Sequence, residues 1–148
     1  MSTLKEKLLA PTRRPQLVRD CARLLDEEVD RKSGLSGFAI KGAFKMVKGV
    51  KPGFVESAID GLLDAWVEKL EGHHGNYVAQ GGSGTFGAFV SRDAHTVAER
   101  LLEVTDARAK KVDNRAVVSM YDKLRPNAKE HVVAAVPGLG RVVDRHLG

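Results

Sequence analysis

Aromatic residues are scarce: Phe, Trp and Tyr make up 5% of the 148 residues, with a single Trp. So thin a supply argues against a base-stacking platform, and it leaves the core to Leu, Val and Ala. Cysteine is scarcer still. Cys21 stands alone, so no intrachain disulfide can form, and a lone thiol fits a reducing compartment. No stretch approaches the ~18 consecutive apolar residues of a membrane-spanning helix. The opening segment MSTLKEKLLAPTRRP carries no apolar run long enough for a signal peptide. A cytoplasmic protein is the expectation. Strand-like alternation is also nearly absent, because apolar residues recur every three or four positions almost throughout.

What is present suits one helical core. The hydrophobic share is 43% and the charged share 29%, both ordinary for a globular chain. A chain near this length buries roughly 68–70% of its extended surface, so neither a metal nor a disulfide is required to hold it. The expected architecture is all-α: a single compact bundle of seven or eight helices, several of them short, spanning residues 1–148. A glycine-rich connector near 72–87, holding GHHG and GGSGTFG, is its most flexible-looking part. No internal repeat is found.

Local signals place the helices. Ser2 or Thr3 caps a first helix that Pro11 ends, and Pro15 suits the first turn of a second, where its missing N–H costs nothing. KSG at 32–34 is a stop signal. Ser36 caps a helix over about 37–50, and Pro52 opens another that GHHGN ends near Glu71. Helix resumes after Ser91 and Asp93, then again after Asp113 or Asn114. Pro126 ends that segment, and Pro137-Gly138 breaks or kinks the next.

The resemblance of longest reach is carried by STLKEKLLAPTRRPQ at the start, KSGLSGFAIKG in the middle, and VTDARAKK and HVVAAVPGLG near the end. With these segments the chain resembles a family of small bacterial helical proteins of unassigned function. The resemblance implies one helical domain. It carries no catalytic residue over, since none of the four segments is a chemical motif.

Net charge is +5, from 24 basic and 19 acidic residues. The bias is concentrated between Arg31 and Lys51, where Arg31, Lys32, Lys41, Lys45, Lys48 and Lys51 occur with no carboxylate among them. On a helix Lys41, Lys45 and Lys48 fall within about 60° of one another. Ala39, Ala43, Met46, Val47 and Val50 take the other side and are expected to face the core. A basic amphipathic helix of this kind binds anionic membranes or nucleic acid, so Lys41, Lys45, Lys48 and Lys51 form the candidate anion-binding face. The bland alternative is a solvated face whose charge is blunted by the next helix. There Glu56, Asp60, Asp64, Glu68 and Glu71 form an acidic stripe that brings Lys48 towards Glu56 and Lys45 towards Asp60 across a hairpin.

No other pattern specifies chemistry. GGSGTFG lacks the Lys and the preceding strand of a phosphate loop. His73 and His74 are adjacent and point different ways, with no nearby set to complete a tetrahedral metal site. Cys21 reads as a buried, inert thiol. No catalytic, cofactor-binding or metal residue is assigned, and no cofactor is expected. The favoured function is a non-enzymatic interaction or scaffold protein. A binder of anionic surfaces is the first alternative, and an enzyme whose site assembles only in three dimensions is the second. The implied partners are a second copy of the chain, drawn by the small residues Gly37 and Gly42 and by the oppositely charged helix backs, another protein, or an anionic lipid or nucleic acid.

Overall fold

Seven helices, α1 (Leu4–Leu8), α2 (Arg14–Arg31), α3 (Gly34–Lys48), α4 (Phe54–Ala79), α5 (Phe86–Ser91), α6 (Ala94–Ala109) and α7 (Arg115–Leu147), make up the described secondary structure. The computed structural model describes residues 3–32, 34–50 and 52–147, without the side chains of 35 and 36. Ser2, Ser33 and Lys51, and the capping side chain expected at Ser36, therefore lie outside the described residues. The all-α architecture matches the helical periodicity of the sequence, with no strand among the described residues.

The helix starts follow from their caps. Thr3 accepts from the Glu6 amide at 3.1 Å, Thr85 from Ala88 at 3.1 Å, and Asn114 from Ala116 at 3.0 Å. Each satisfies a first-turn N–H that has no intrahelical partner. The start of α1 has a second acceptor. Glu71, reaching across from α4, takes the Leu4 and Lys5 amides at 3.0 and 3.1 Å. That contact explains an acidic residue once expected at a helix end: α4 runs on to Ala79, and Glu71 serves the positive end of α1 instead.

Three boundaries differ from expectation. The GHHGN stretch lies inside α4 because His74 and Tyr77 pack on Phe86, the His74 and Phe86 rings 5.3 Å apart edge to face. Burial of that turn outweighs the roughly 1 kcal/mol that each glycine costs a helix. Pro126 and Pro137 do not divide α7, which is continuous through both. Both prolines are exposed, so the carbonyl each deprives of its amide lies near solvent, while Val136, Val142 and Val143 are buried and hold the helix down. Helix α5 falls within and just after GGSGTFG. Its signal was the Thr85 cap before Phe86, Phe89 and Val90. The turn ahead of it needs glycine: Gly81, Gly82 and Gly84 take positive φ, a region glycine enters freely. Tyr77 Oη ties this turn down, 2.5 Å from the Gly84 carbonyl and 3.0 Å from that of Gly82.

The core is shared by all the elements. Leu4 and Leu8 seal α1 against α4 and α7, and Ile59, Leu63, Val67 and Leu70 form the buried stripe of α4. Helices α2, α4, α6 and α7 pack in a ring, each on the next. Helices α5 and α7 approach closely where Gly87 and Gly140 face each other. A Cβ on Gly140 would lie 2.7 Å from the Gly87 Cα.

Candidate functional site

Helix α3 carries the site that the sequence singles out, and it lies on the surface. Its covered side is Gly37, Ile40, Ala43, Phe44 and Val47; of these Phe44 and Val47 pack against the core. Gly37 is buried because a Cβ there would stand 2.6 Å from the Lys32 carbonyl carbon. The chain thus folds back on itself between α2 and α3, and of the two small residues Gly37 and Gly42 it is Gly37 that makes a close contact. Gly42 faces open space.

The exposed side of α3 is less polar than the lysine spacing suggests. Phe38 is 81% exposed and Met46 52%, and Val50, just past the helix, is 39% exposed. Ala39 is exposed as well. Met46, Ala39 and Val50 were expected to face the core, but the helix is rolled so that its covered arc centres on Ile40, Phe44 and Val47. At 100° per residue Phe38 lies about 20° from Lys45 and 60° from Lys41. Apolar and basic side chains therefore share one exposed arc.

The lysines differ in their surroundings. Lys41 and Lys45 are exposed and have no ion-pair partner among the described residues. Lys48 is engaged: its Nζ lies 2.7 Å from Asp26 Oδ1 on α2 and 4.6 Å from the centre of the Phe44 ring. Arg31 pairs with Glu28 at 3.4 Å. Lys51 lies outside the described residues. Of the basic cluster, Lys41 and Lys45 stand clear.

The expected hairpin pairs do not form. Lys48 turns to Asp26 rather than Glu56, and Asp60 is held by Arg14 rather than Lys45. Arg14 Nε lies 2.7 Å from Asp60 Oδ1, and its Nη1 and Nη2 reach Asp64 at 3.1 and 3.0 Å. The physical reason is direction: Asp60 and Asp64 of α4 face the start of α2, and the end of α3, where Lys48 lies, faces Asp26 further along α2. Arg14 holds the Asp64 carboxyl below the usual carboxylate range.

Two further polar clusters are structural in form. Asp20 and His146, both buried, meet at 2.7 Å, and Gln16 donates to the same carboxylate at 2.9 Å. Burial opposes the charge on Asp20, but the hydrogen bonds from His146 and Gln16 prevail and hold its pKa below the ordinary value. On α6, Asp106 receives a two-pronged contact from Arg125 at 2.8 and 3.0 Å, and the Tyr121 hydroxyl donates to it. Arg125 lowers the Asp106 pKa, while burial first and Asp106 second raise that of Tyr121. Burial pushes the Cys21 thiol up to about 11, in keeping with an inert side chain. No group of three or more His, Cys, Asp or Glu among the described residues is arranged to hold a metal ion. No helix of the described residues is long and apolar enough to cross a membrane.

The class defined by these features is an all-α protein that presents a basic surface helix with an exposed aromatic side chain. The profile of a family of unknown function (DUF6918) matches residues 4–147. The chain belongs to that family. No curated protein and no solved structure matches it.

Proposed function

We propose that this is a non-enzymatic interaction protein that docks on an anionic membrane surface through the exposed arc of α3. The observation that carries the reading is Phe38, 81% exposed beside Lys41 and Lys45. A large apolar side chain left in water among unpaired lysines suits an interface with acyl chains beneath and anionic headgroups around it. Duplex nucleic acid would use the lysines but gives Phe38 and Met46 nothing to bury against. The cytoplasmic leaflet is the negatively charged one, so a cytoplasmic location belongs to the same reading; the single Cys21 supports it. We treat residues 1–148 as one domain, with its glycine-rich connector narrowed to the turn at 80–85 that Tyr77 holds.

The test is sedimentation with vesicles of phosphatidylcholine alone and of phosphatidylcholine with phosphatidylserine. Binding is expected only to the second and weakens with salt. Each lysine near the surface contributes about 1 kcal/mol, so K41E/K45E lowers the partition coefficient roughly thirtyfold or more. Phe38→Ser lowers it roughly tenfold without changing the helical circular dichroism. Equal binding to both vesicles, or no binding to either, sinks the reading. Salt-sensitive binding to duplex DNA that Phe38→Ser leaves intact would favour nucleic acid instead.

One observation favours a second reading, self-association. A Cβ on Gly42 would meet nothing within 4 Å, so the surface between the exposed Phe38 and Met46 is open to the Phe38 of another copy. A dimer dispersed by Phe38→Ser in sedimentation velocity, without vesicle binding, would select it.

A further inference from the structure

The ring of α2, α4, α6 and α7 encloses a cavity. Each helix packs on its neighbours, but neither diagonal pair, α2 with α6 or α4 with α7, is among the closely packed helix pairs. Between them lies a cavity of about 220 Å³, lined almost wholly by aliphatic side chains and by Trp66. Its lining includes Thr105, whose hydroxyl is already engaged by the Leu102 carbonyl at 3.1 Å and by Tyr121 at 3.0 Å. It also includes Cys21, with its inert thiol, and Glu28, the one charged residue of the lining.

The cavity has a closed end and an open one. Along α2 its wall passes from Leu17, 2% exposed, to Leu25, 38% exposed, eight residues or about 12 Å further on. Glu28 stands three residues beyond Leu25 and is 6% exposed, so its carboxylate lies just inside the end that the exposed leucine marks. Val67 and Val136, 2% and 0% exposed, belong to the sealed wall.

Size and polarity select the occupant. An apolar cavity of about 150 Å³ holds benzene, and a water-sized group takes about 30 Å³. The cavity of about 220 Å³ therefore has room for roughly seven methylene-sized groups. This is smaller than the 300–1,000 Å³ of drug-sized sites, and the length of about 12 Å along α2 from Leu17 to Leu25 favours a slender chain over a ring system. Arg31, whose side chain is 62% exposed, holds Oε2 of Glu28 at 3.4 Å; the other carboxylate oxygen accepts a hydrogen bond from a hydroxyl, and an anion beside this buried carboxylate is still repelled, because the Arg31 charge is screened by water.

We propose that the cavity between α2, α4, α6 and α7 binds a medium-chain aliphatic amphiphile, its chain directed towards Leu17 and its uncharged hydrogen-bond-donating head at Glu28. The site is separate from the exposed arc of α3 and stands whether or not that arc meets a membrane.

Trp66 lines the cavity and is the only tryptophan, so its emission reports occupancy directly. The probe is octan-1-ol, titrated into the full chain at pH 7, with octanoate as the anionic counterpart. Octan-1-ol is expected to shift the Trp66 emission saturably and to raise the melting temperature with the logarithm of its concentration. Octanoate is expected to bind at least tenfold more weakly. Ala135→Phe places a ring in the cavity and should weaken octan-1-ol at least tenfold while the helical signal persists. If that variant does not fold, Ala135→Met supplies a smaller plug with the same expected direction. A non-saturating change with octan-1-ol, undiminished binding in the folded filled variant, or octanoate binding as tightly as the alcohol would each overturn the proposal.

Discussion

Replacing Gly140 by Ala adds one methyl group at the point where α5 and α7 touch. The new Cβ would stand 2.7 Å from the Gly87 Cα, 3.1 Å from its oxygen and 3.2 Å from its carbonyl carbon. All three are backbone atoms, so no side-chain rotation relieves the contact. Carbon atoms prefer about 3.5–4.0 Å, and the two helices must part by roughly 1 Å. The separation also stretches the hydrogen bonds from the Gly87 amide to the Asp144 carboxylate, now 3.0 and 3.2 Å. Overpacking of this kind costs about 1–3 kcal/mol, and weakening a hydrogen bond to a charged group adds about 1 kcal/mol. Against these, Ala gains about 1 kcal/mol over Gly within a helix. The net expectation is a loss of about 2 kcal/mol, or a fall in melting temperature of about 6 °C. Gly75→Ala is the control. Gly75 lies within α4 and a Cβ there meets nothing within 4 Å, so the same chemical change should stabilise by about 0.4–1 kcal/mol. Urea denaturation of the two variants beside the parent, with unchanged m-values, measures both. A Gly140→Ala variant at least as stable as the parent would refute the account of the α5–α7 contact.

Two other expectations concern polar groups. Glu71→Ala removes the acceptor of the Leu4 and Lys5 amides and should cost about 1 kcal/mol, with faster hydrogen exchange at those two amides; unchanged exchange would refute the capping role of Glu71. The Asp20 pKa is depressed in the folded chain, so its stabilisation is present above its unfolded value of about 3.9 and is lost as pH falls through the lower folded value. Asp20→Asn should therefore destabilise by about 1–3 kcal/mol at pH 7 and make the acid limb of the stability profile shallower. Asp64 and Asp106, also depressed, keep part of that limb, and a profile identical to the parent's would contradict the role given to the Asp20–His146 pair.

The sequence made some elements legible because a single local cause decides them. The buried stripe of Ile59, Leu63, Val67 and Leu70 follows from spacing alone, and the starts at Thr3 and Asn114 follow from short side chains that reach first-turn amides. The elements it obscured are those where distant packing outweighs a local penalty. Pro126 and Pro137 are strong local stops, yet the buried face of α7 outlasts them. Gly72 and Gly75 weaken a helix, yet His74 and Tyr77, packed on a ring contributed by α5, carry α4 past both. The ion pairs were illegible for a related reason. Lysine spacing sets which way a side chain leaves its own helix, but Asp26 and Arg14 become the partners of Lys48 and Asp60 only through the placement of α2.

The exposed arc of α3 shows the limit of pattern reading. A helical wheel gives relative angles, and those were available: Phe38 falls between the lysines and Met46 whatever the fold. The wheel has no origin, however. Small or apolar residues lie on both sides of the lysine edge, so spacing alone does not choose the face that is buried. The rotation adopted is fixed by a contact that the wheel does not contain, the Gly37 backbone set against Lys32, where any Cβ would collide. That contact turns Ile40, Phe44 and Val47 inward and leaves Phe38 and Met46 in water. A residue as small as Gly37 thus decides which large residues the protein offers to a partner. Gly37→Ala would displace α3 rather than merely weaken it, and any binding by Phe38, Lys41 and Lys45 should change with it.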